Sequence, residues 1–391
     1  MRNFLQKLEG DKGIWLCLLL LGLVSILAIY SSTSALAMRY QEGNTEYYLL
    51  KHIILLVAGF ALMYFVHKME YRFFARISRL LLGISVLLLA YTLFQGEESE
   101  INSASRWISI FGQSFQPSDL AKFSLMVYLA RTLTHKQEII RDFTKGFLPV
   151  IAVVLLICGL IAPADLSTAI LIFACSAVLM FVSGIKLRFL GGLSIIGLTG
   201  LIFLFMFAPR ASTWGNRLAD YQERLFSSET EANYQTRQAN IAIASGGFFG
   251  QGAGKSLQRN YLPHPYSDFI YAIIVEEYGF LGGFGVLCLY LIIFIRSVGI
   301  VTVSKTFGAL LAAGLSFLIT FQALINMGVT VGLLPVTGLP LPLISMGGTS
   351  LLFTCLSFGV ILSVSREAVG QVKFPRRRTA RRPQNPEPAT G

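Results

Sequence analysis

Tyr261 to Gly279 reads YLPHPYSDFIYAIIVEEYG. A polar, proline-bearing run turns here into an apolar one. Proline fixes φ and lacks an N–H, so the first part is a loop and the second opens a helix. Asp268 stands at the junction. Glu276 and Glu277 follow about two helical turns further in. A carboxylate near hydrocarbon is costly and faces a polar cavity or a partner. Asp268 is accordingly the candidate chemical centre. The plain alternative is that it caps its helix, since aspartate is a favoured cap.

The rest of the chain agrees with a membrane setting. It has 391 residues, 54% hydrophobic and 14% charged. That composition is not that of a soluble domain. Several apolar runs reach about twenty residues, the length that crosses a bilayer as helix. Cys17, Cys158, Cys175, Cys288 and Cys355 all fall inside apolar runs. Their spacing gives neither a disulfide framework nor a metal motif, and they read as small core side chains.

Ten spans are expected, near 14–30, 53–66, 80–93, 120–133, 147–162, 167–184, 190–207, 270–295, 307–329 and 350–364. The class is all-α, a polytopic membrane protein. Ala35-Leu36-Ala37 imitates a signal-peptidase site, but the apolar run before it is longer than a signal's and more spans follow. With an even number of spans both termini share a side. If that side is cytoplasmic, most of the 32 basic residues fall inside, from Arg2, Lys7 and Lys12 to the tail beyond Lys373, as the positive-inside rule asks. The divisions are an N-terminus over 1–12, a membrane domain over 13–366 and a basic, proline-rich tail over 367–391. The tail is a topology anchor that touches anionic lipid, and its end reads as disordered. The net charge of +11 is placed for a membrane, not for nucleic acid.

The outward segments carry the chemistry. One holds Ser105-Arg106-Trp107, then Gln116-Pro117-Ser118-Asp119, a good helix start. One turn later Lys122 lies at membrane depth, either snorkelling to the surface or meeting an anion. The large segment 209–267, between spans seven and eight, is expected to fold as a partly helical cap. It carries Arg210, Arg217, Arg224, Arg237, Lys255 and Arg259. Cations above an acid suit an anionic substrate such as a diphosphate. Arg210, Arg217 and Arg224 recur every seven residues, one face if helical.

Gly254-Lys255-Ser256 imitates the end of a phosphate-binding loop. That motif needs glycine where this chain has Phe249, and a preceding strand. The segment reads instead as a flexible turn where backbone approaches closely. The last outward segment, GLLPVTGLPLPLISMGGTS over Gly332–Ser350, holds too many prolines and glycines for an ordinary span. Irregular backbone at membrane depth lines a protein cavity, so this segment is expected to dip over Asp268.

In order along the chain, Ala104–Trp107, Gln116–Asp119, the Gly250–Gly254 turn, Tyr261–Gly279 and Pro335–Ser350 resemble the SEDS family, FtsW/RodA/SpoVE, over about Lys12 to Arg366. Gly250–Ser256 with Gln258-Arg259 is similar to the FtsW branch, in its Bacteroidetes form. Pro335–Pro342 is closer to RodA, and Met346 stands where the family has tyrosine. The resemblance implies a peptidoglycan glycosyltransferase that polymerises lipid II, placed in the inner membrane and at the division septum. It implies a class B penicillin-binding protein and other divisome membrane proteins as partners. It maps the essential acid onto Asp268 and a fourth-helix lysine onto Lys122. Many relatives have arginine where this chain has Ser114. The expected substrate-binding set is Arg106, Trp107, Lys122, Arg210, Arg217, Lys255, Gln258, Arg259, Glu276, Glu277, Ser345, Gly347 and Gly348. No cofactor is evident, although Asp268 has the chemistry to ligate a divalent cation, Mg or Mn. A lipid II flippase, a non-enzymatic divisome scaffold and a RodA-type elongation role are the alternatives.

Overall fold

The computed structural model describes residues 9–34, 36, 45–94, 107–110, 113–207, 211–226, 234–263, 265–304 and 306–373. Each expected span is helical. They are α1 (Lys12–Ser32), α2 (Thr45–Lys68), α3 (Arg72–Phe94), α4 (Pro117–His135), α5 (Leu148–Ile161), α6 (Leu166–Val182) and α7 (Leu187–Phe207). Then α8 (Ala211–Phe226) and α9 (Tyr234–Gly246) lie within the long segment, before α10 (Ile270–Val303), α11 (Thr306–Thr330) and α12 (Thr349–Lys373). The last helix runs on to Lys373, past the expected boundary at 366. A hairpin of β1 (Ile108–Ile110) and β2 (Gln113–Phe115) precedes α4, with Ser109 opposite Ser114.

Among the described residues, seven helices are long and apolar enough to cross a membrane: α1, α2, α3, α5 with the π-turn before it, α10, α11 and α12. α6 is apolar over its 17 residues, and α7 is apolar over Leu187–Gly197. α4 is set apart by charge, because Asp119, Lys122 and Arg131 share its 19 residues.

These helices are apolar all round, as bundle helices in lipid are. On α1, Ile14, Leu18, Leu21 and Ser25 are buried while Leu16, Leu20, Leu23 and Leu27 are exposed. Asp11 starts that helix by accepting from the N–H groups of Gly13 and Ile14. Its carboxylate also takes Arg296 at the far end of α10, at 2.9 and 3.0 Å. α11 is the central helix, packed against α10, α4, α6 and α12. Small residues allow close approach: Gly314 of α11 faces Leu179 and Met126.

α10 is broken at Gly279, whose φ of 68° and ψ of −169° are not helical. A break in hydrocarbon leaves backbone groups unpaired unless protein satisfies them. The turn after α9 does so. Gln251 and Gly252 N–H donate to the carbonyls of Glu276 and Glu277 at 3.0 and 2.9 Å. Phe280 and Leu281 N–H donate to Gly247 and Phe248 carbonyls at 2.9 and 3.3 Å. The contact is so close that a Cβ on Gly279 would lie 2.4 Å from Gly250 N.

Candidate active site

Asp268 ends the loop before α10. It is not the cap: the N-cap is Phe269, with no side-chain cap bond. Asp268 is half-buried, and its Oδ1 accepts from Ser267 Oγ at 2.9 Å. The Gly332–Ser350 segment, here the strap, runs directly beside it. A Cβ on Gly338 would sit 3.7 Å from Asp268 Oδ2, and Gly338 has φ +73°. The expectation that the strap dips over this acid matches the geometry.

The strap is fixed at many points. Ser345 Oγ donates to Ser267 O at 2.7 Å and accepts from Leu341 N at 2.8 Å. Met346 N donates to Tyr266 O at 2.9 Å. Tyr290 donates its hydroxyl proton to Pro342 O. Ser25 Oγ donates to Ile344 O at 3.0 Å and pairs with His52 Nε2 at 2.8 Å. Because the hydroxyl proton goes to Ile344, His52 must donate from Nε2, which defines its tautomer. Between Pro342 and Ile344, Leu343 is buried at φ 68°. A non-glycine residue in that region is strained.

From above, Arg217 on α8 reaches Val336 O at 3.3 Å and Tyr221 reaches Leu333 O at 2.9 Å. Arg224 lies on the same helix. Arg106 and Arg210 lie outside the described residues, as do Arg2, Lys7 and the tail beyond Lys373. Trp107 is half-buried just before β1. Gly347 and Gly348 are half-exposed, and a Cβ on Gly348 would stand 3.9 Å from Ser114 O. The strap's end therefore lies against the hairpin.

Lys122 does not snorkel. It is 7% exposed and lines a cleft with Asp119, Gln322, Pro342, Ser350 and Thr354. Its Nζ donates to Gln322 Oε1 at 3.4 Å. Gln322 Nε2 donates to Pro340 O at 2.9 Å, so the cation is tied to the strap. Asn326, one turn along α11, donates to both Asp268 O and Leu339 O. Sequence reading passed over these two amides. Their signal was two polar side chains four residues apart in an apolar run.

Glu276, Glu277, Lys255, Gln258 and Arg259 form a second cluster, about 12 Å along the chain from Asp268 at 1.5 Å per residue. Glu276 is fully buried and Glu277 is 1% exposed. Glu276 Oε1 accepts from Leu257 N and Gln258 N at 3.0 and 3.3 Å, and Oε2 from Ser256 Oγ at 2.5 Å. Glu277 Oε1 accepts from Ser256 N at 3.3 Å and from Ser31 Oγ. Arg259 Nη1 donates to Ser31 Oγ at 3.2 Å and Gly254 O at 3.0 Å. The run that imitates a phosphate loop holds the chain's own carboxyl groups instead: Ser256 donates its N–H to Glu277 and its hydroxyl to Glu276, and the N–H groups of Leu257 and Gln258, just after it, also reach Glu276. Lys255 is exposed beside it.

The family described as cell cycle protein, FtsW/RodA/SpoVE, matches residues 11–369. Stage V sporulation protein E of Bacillus subtilis (strain 168) is 33% identical over 365 residues, covering 92% of this chain and 98% of that protein. A probable peptidoglycan glycosyltransferase FtsW from Trichlorobacter lovleyi is 31% identical over 371 residues, 93% of this chain and 95% of that one. Among solved structures, a chain from "Structural coordination of polymerization and crosslinking by a peptidoglycan synthase complex" superposes with a TM-score of 0.71 at 26% identity, over 92% of this chain and 98% of its own. Thermus thermophilus rod shape determining protein RodA gives 0.66 at 26% identity, over 93% and 98%.

Proposed function

Because the chain belongs to the FtsW/RodA/SpoVE family of cell cycle proteins, we propose that it is a peptidoglycan glycosyltransferase, polymerising lipid II with Asp268 as general base. One observation carries the assignment of the acid. Asp268 is the half-exposed carboxylate where loop, strap and α10 meet, and it does not cap its helix. Glu276 and Glu277, by contrast, are buried and occupied by the Ser256 turn.

In the reaction a sugar hydroxyl of the acceptor attacks the anomeric carbon of the donor. Asp268 takes the hydroxyl proton as the new C–O bond forms. The bond to undecaprenyl diphosphate breaks, and the diphosphate leaves with the electron pair. Cations offset the charge that develops on it. We assign this role to Lys122 in the cleft and to Arg217, which reaches the strap at Val336 O. Asp268 would be the residue to hold a divalent cation, Mg or Mn, which would supply positive charge to offset the departing diphosphate.

The membrane setting is multi-pass, and the septum is the proposed location, with a role in division supported by the FtsW relatives. A class B penicillin-binding protein is the proposed partner, supported by the likeness to a chain of a complex that couples polymerization and crosslinking. The test is polymerisation of purified lipid II in detergent. Asp268→Asn should insert and fold yet make no glycan polymer. Substantial polymer from it would end the assignment of Asp268 as base. Detergent offers no second compartment, so the assay also separates an enzyme from a flippase.

A further inference from the structure

Asp268 lies in a turn, outside the hydrogen-bond ladder of α10. Nothing in regular structure fixes where its side chain points. Two side chains from elsewhere do. The peptide carbonyl before its Cα, Ser267 O, accepts from Ser345 Oγ at 2.7 Å. The peptide carbonyl after it, Asp268 O, accepts from Asn326 Nδ2 at 2.9 Å. With both flanking peptide groups held, the direction of the Cα–Cβ bond is set.

The same two side chains also hold the strap. Asn326 Nδ2 gives its other proton to Leu339 O at 2.8 Å, and Ser345 Oγ accepts from Leu341 N at 2.8 Å. Gly338 is next to Leu339, and it is Gly338 that passes beside Asp268 Oδ2. Each of the two therefore spans the gap between the acid's backbone and the strap. Asn326 is 2% exposed and Ser345 3%. Burying polar groups is costly unless they are bonded, and Asn326 Nδ2 and Ser345 Oγ each make two bonds, one to the Ser267–Asp268 backbone and one to the strap.

We propose that Asn326 and Ser345 are positioning residues for the reaction, acting through Asp268 by aiming its carboxylate past the strap toward the acceptor hydroxyl. This rests on the reading of Asp268 as base. A displacement of the base by about 1 Å costs on the order of 100-fold in rate.

The test uses the full chain in detergent with lipid II, with the class B partner present in every arm. Asn326→Leu removes the donors at similar size, Ser345→Ala removes the hydroxyl, and Ser345→Thr restores it. For Asn326→Leu and Ser345→Ala we expect kcat to fall roughly 10- to 100-fold, with KM within about 3-fold of wild type. Ser345→Thr should recover most of the loss. Asp268→Glu already displaces the carboxylate, so the kcat effect of Ser345→Ala should shrink in that background. If Asn326→Leu fails to fold, the serine series decides alone. Inactive Asp268→Asn together with wild-type kcat in Ser345→Ala overturns the positioning role and leaves the base intact. A loss of kcat fully additive with Asp268→Glu overturns it as well. Wild-type polymer from Asp268→Asn removes the base reading, and this inference with it.

Discussion

Lys122 Nζ lies 2.8 Å from Asp119 Oδ1, three residues apart on α4, with the two side chains 9% and 3% exposed. Breaking a buried pair on one side leaves a charge without its partner, at about 3–5 kcal/mol, whereas removing both is far milder. Lys122→Met alone is expected to melt well below wild type in detergent. Asp119→Asn with Lys122→Met should regain most of that stability. If Lys122 also meets the diphosphate, the stable double variant will still polymerise poorly. Full polymerisation by it would end the substrate role of Lys122.

The cap cations separate into two kinds. Arg259 is committed to Ser31 and Gly254, whereas Lys255 is exposed. Arg259→Gln should lower stability by about 1–3 kcal/mol, the cost of unmade bonds to a charged group. Lys255→Gln should leave the melting temperature alone and raise KM for lipid II. Unchanged KM in glutamine variants of all five of Arg210, Arg217, Arg224, Lys255 and Arg259 would remove the cap from substrate binding.

Glu276 holds the Ser256–Gln258 turn through three donors. Glu276→Ala strands two N–H groups and a hydroxyl in a buried place, each costing about 1–3 kcal/mol. The expected result is a lower melting temperature and faster proteolysis near residues 250–258. Protection of that turn equal to wild type would show that Glu276 does not hold it.

Glycines at the helix break are not replaceable. A Cβ on Gly250 would lie 2.2 Å from Glu277 O, and one on Gly279 would lie 2.4 Å from Phe248 O. Both also need positive φ. Gly279→Ala and Gly250→Ala should each destabilise by more than about 2 kcal/mol. Gly285→Ala is the control, since among the described residues no atom outside its own stretch of helix would lie within 4 Å of an added Cβ. It should be neutral or slightly stabilising, by up to about 1 kcal/mol. Equal melting of Gly279→Ala and Gly285→Ala would refute the docking of the turn.

Polymerisation by the isolated chain is expected to be slow and to rise with a class B penicillin-binding protein present. Comparing glycan yield at equal chain concentration, with and without that partner, checks this. Full activity alone, unmoved by the partner, would count against a coupled pair.

The spans were legible because apolar runs of membrane length need no partner to declare themselves. The strap was legible for the opposite reason: proline and glycine deny it a helix. Asp268 was legible by its place at a junction. What the sequence hid was long-range pairing. Ser345 and Ser267 are 78 residues apart, and Asn326 and Asp268 58. No local pattern links them. The break at Gly279 was hidden too, because a glycine inside an apolar run is tolerated in membrane helices and reads as continuous. Glu276 and Glu277 are buried in the protein. Their partners, supplied by a turn some twenty residues earlier, were not legible.

The turn that closes the break in α10 precedes α10 in the chain. When a ribosome has delivered Gly247 to Gly252, the peptide groups they will bind have not yet been made. α10 thus reaches the bilayer as a span with a gap in its own hydrogen bonding, and the gap is sealed only when an earlier segment folds back onto it. For the other helices, crossing the membrane comes first and packing second. For this one, the break at Gly279 is closed only by packing against the earlier turn. α10 is a span whose lodging in the membrane waits on its neighbours, and Asp268 stands in the turn that leads into it.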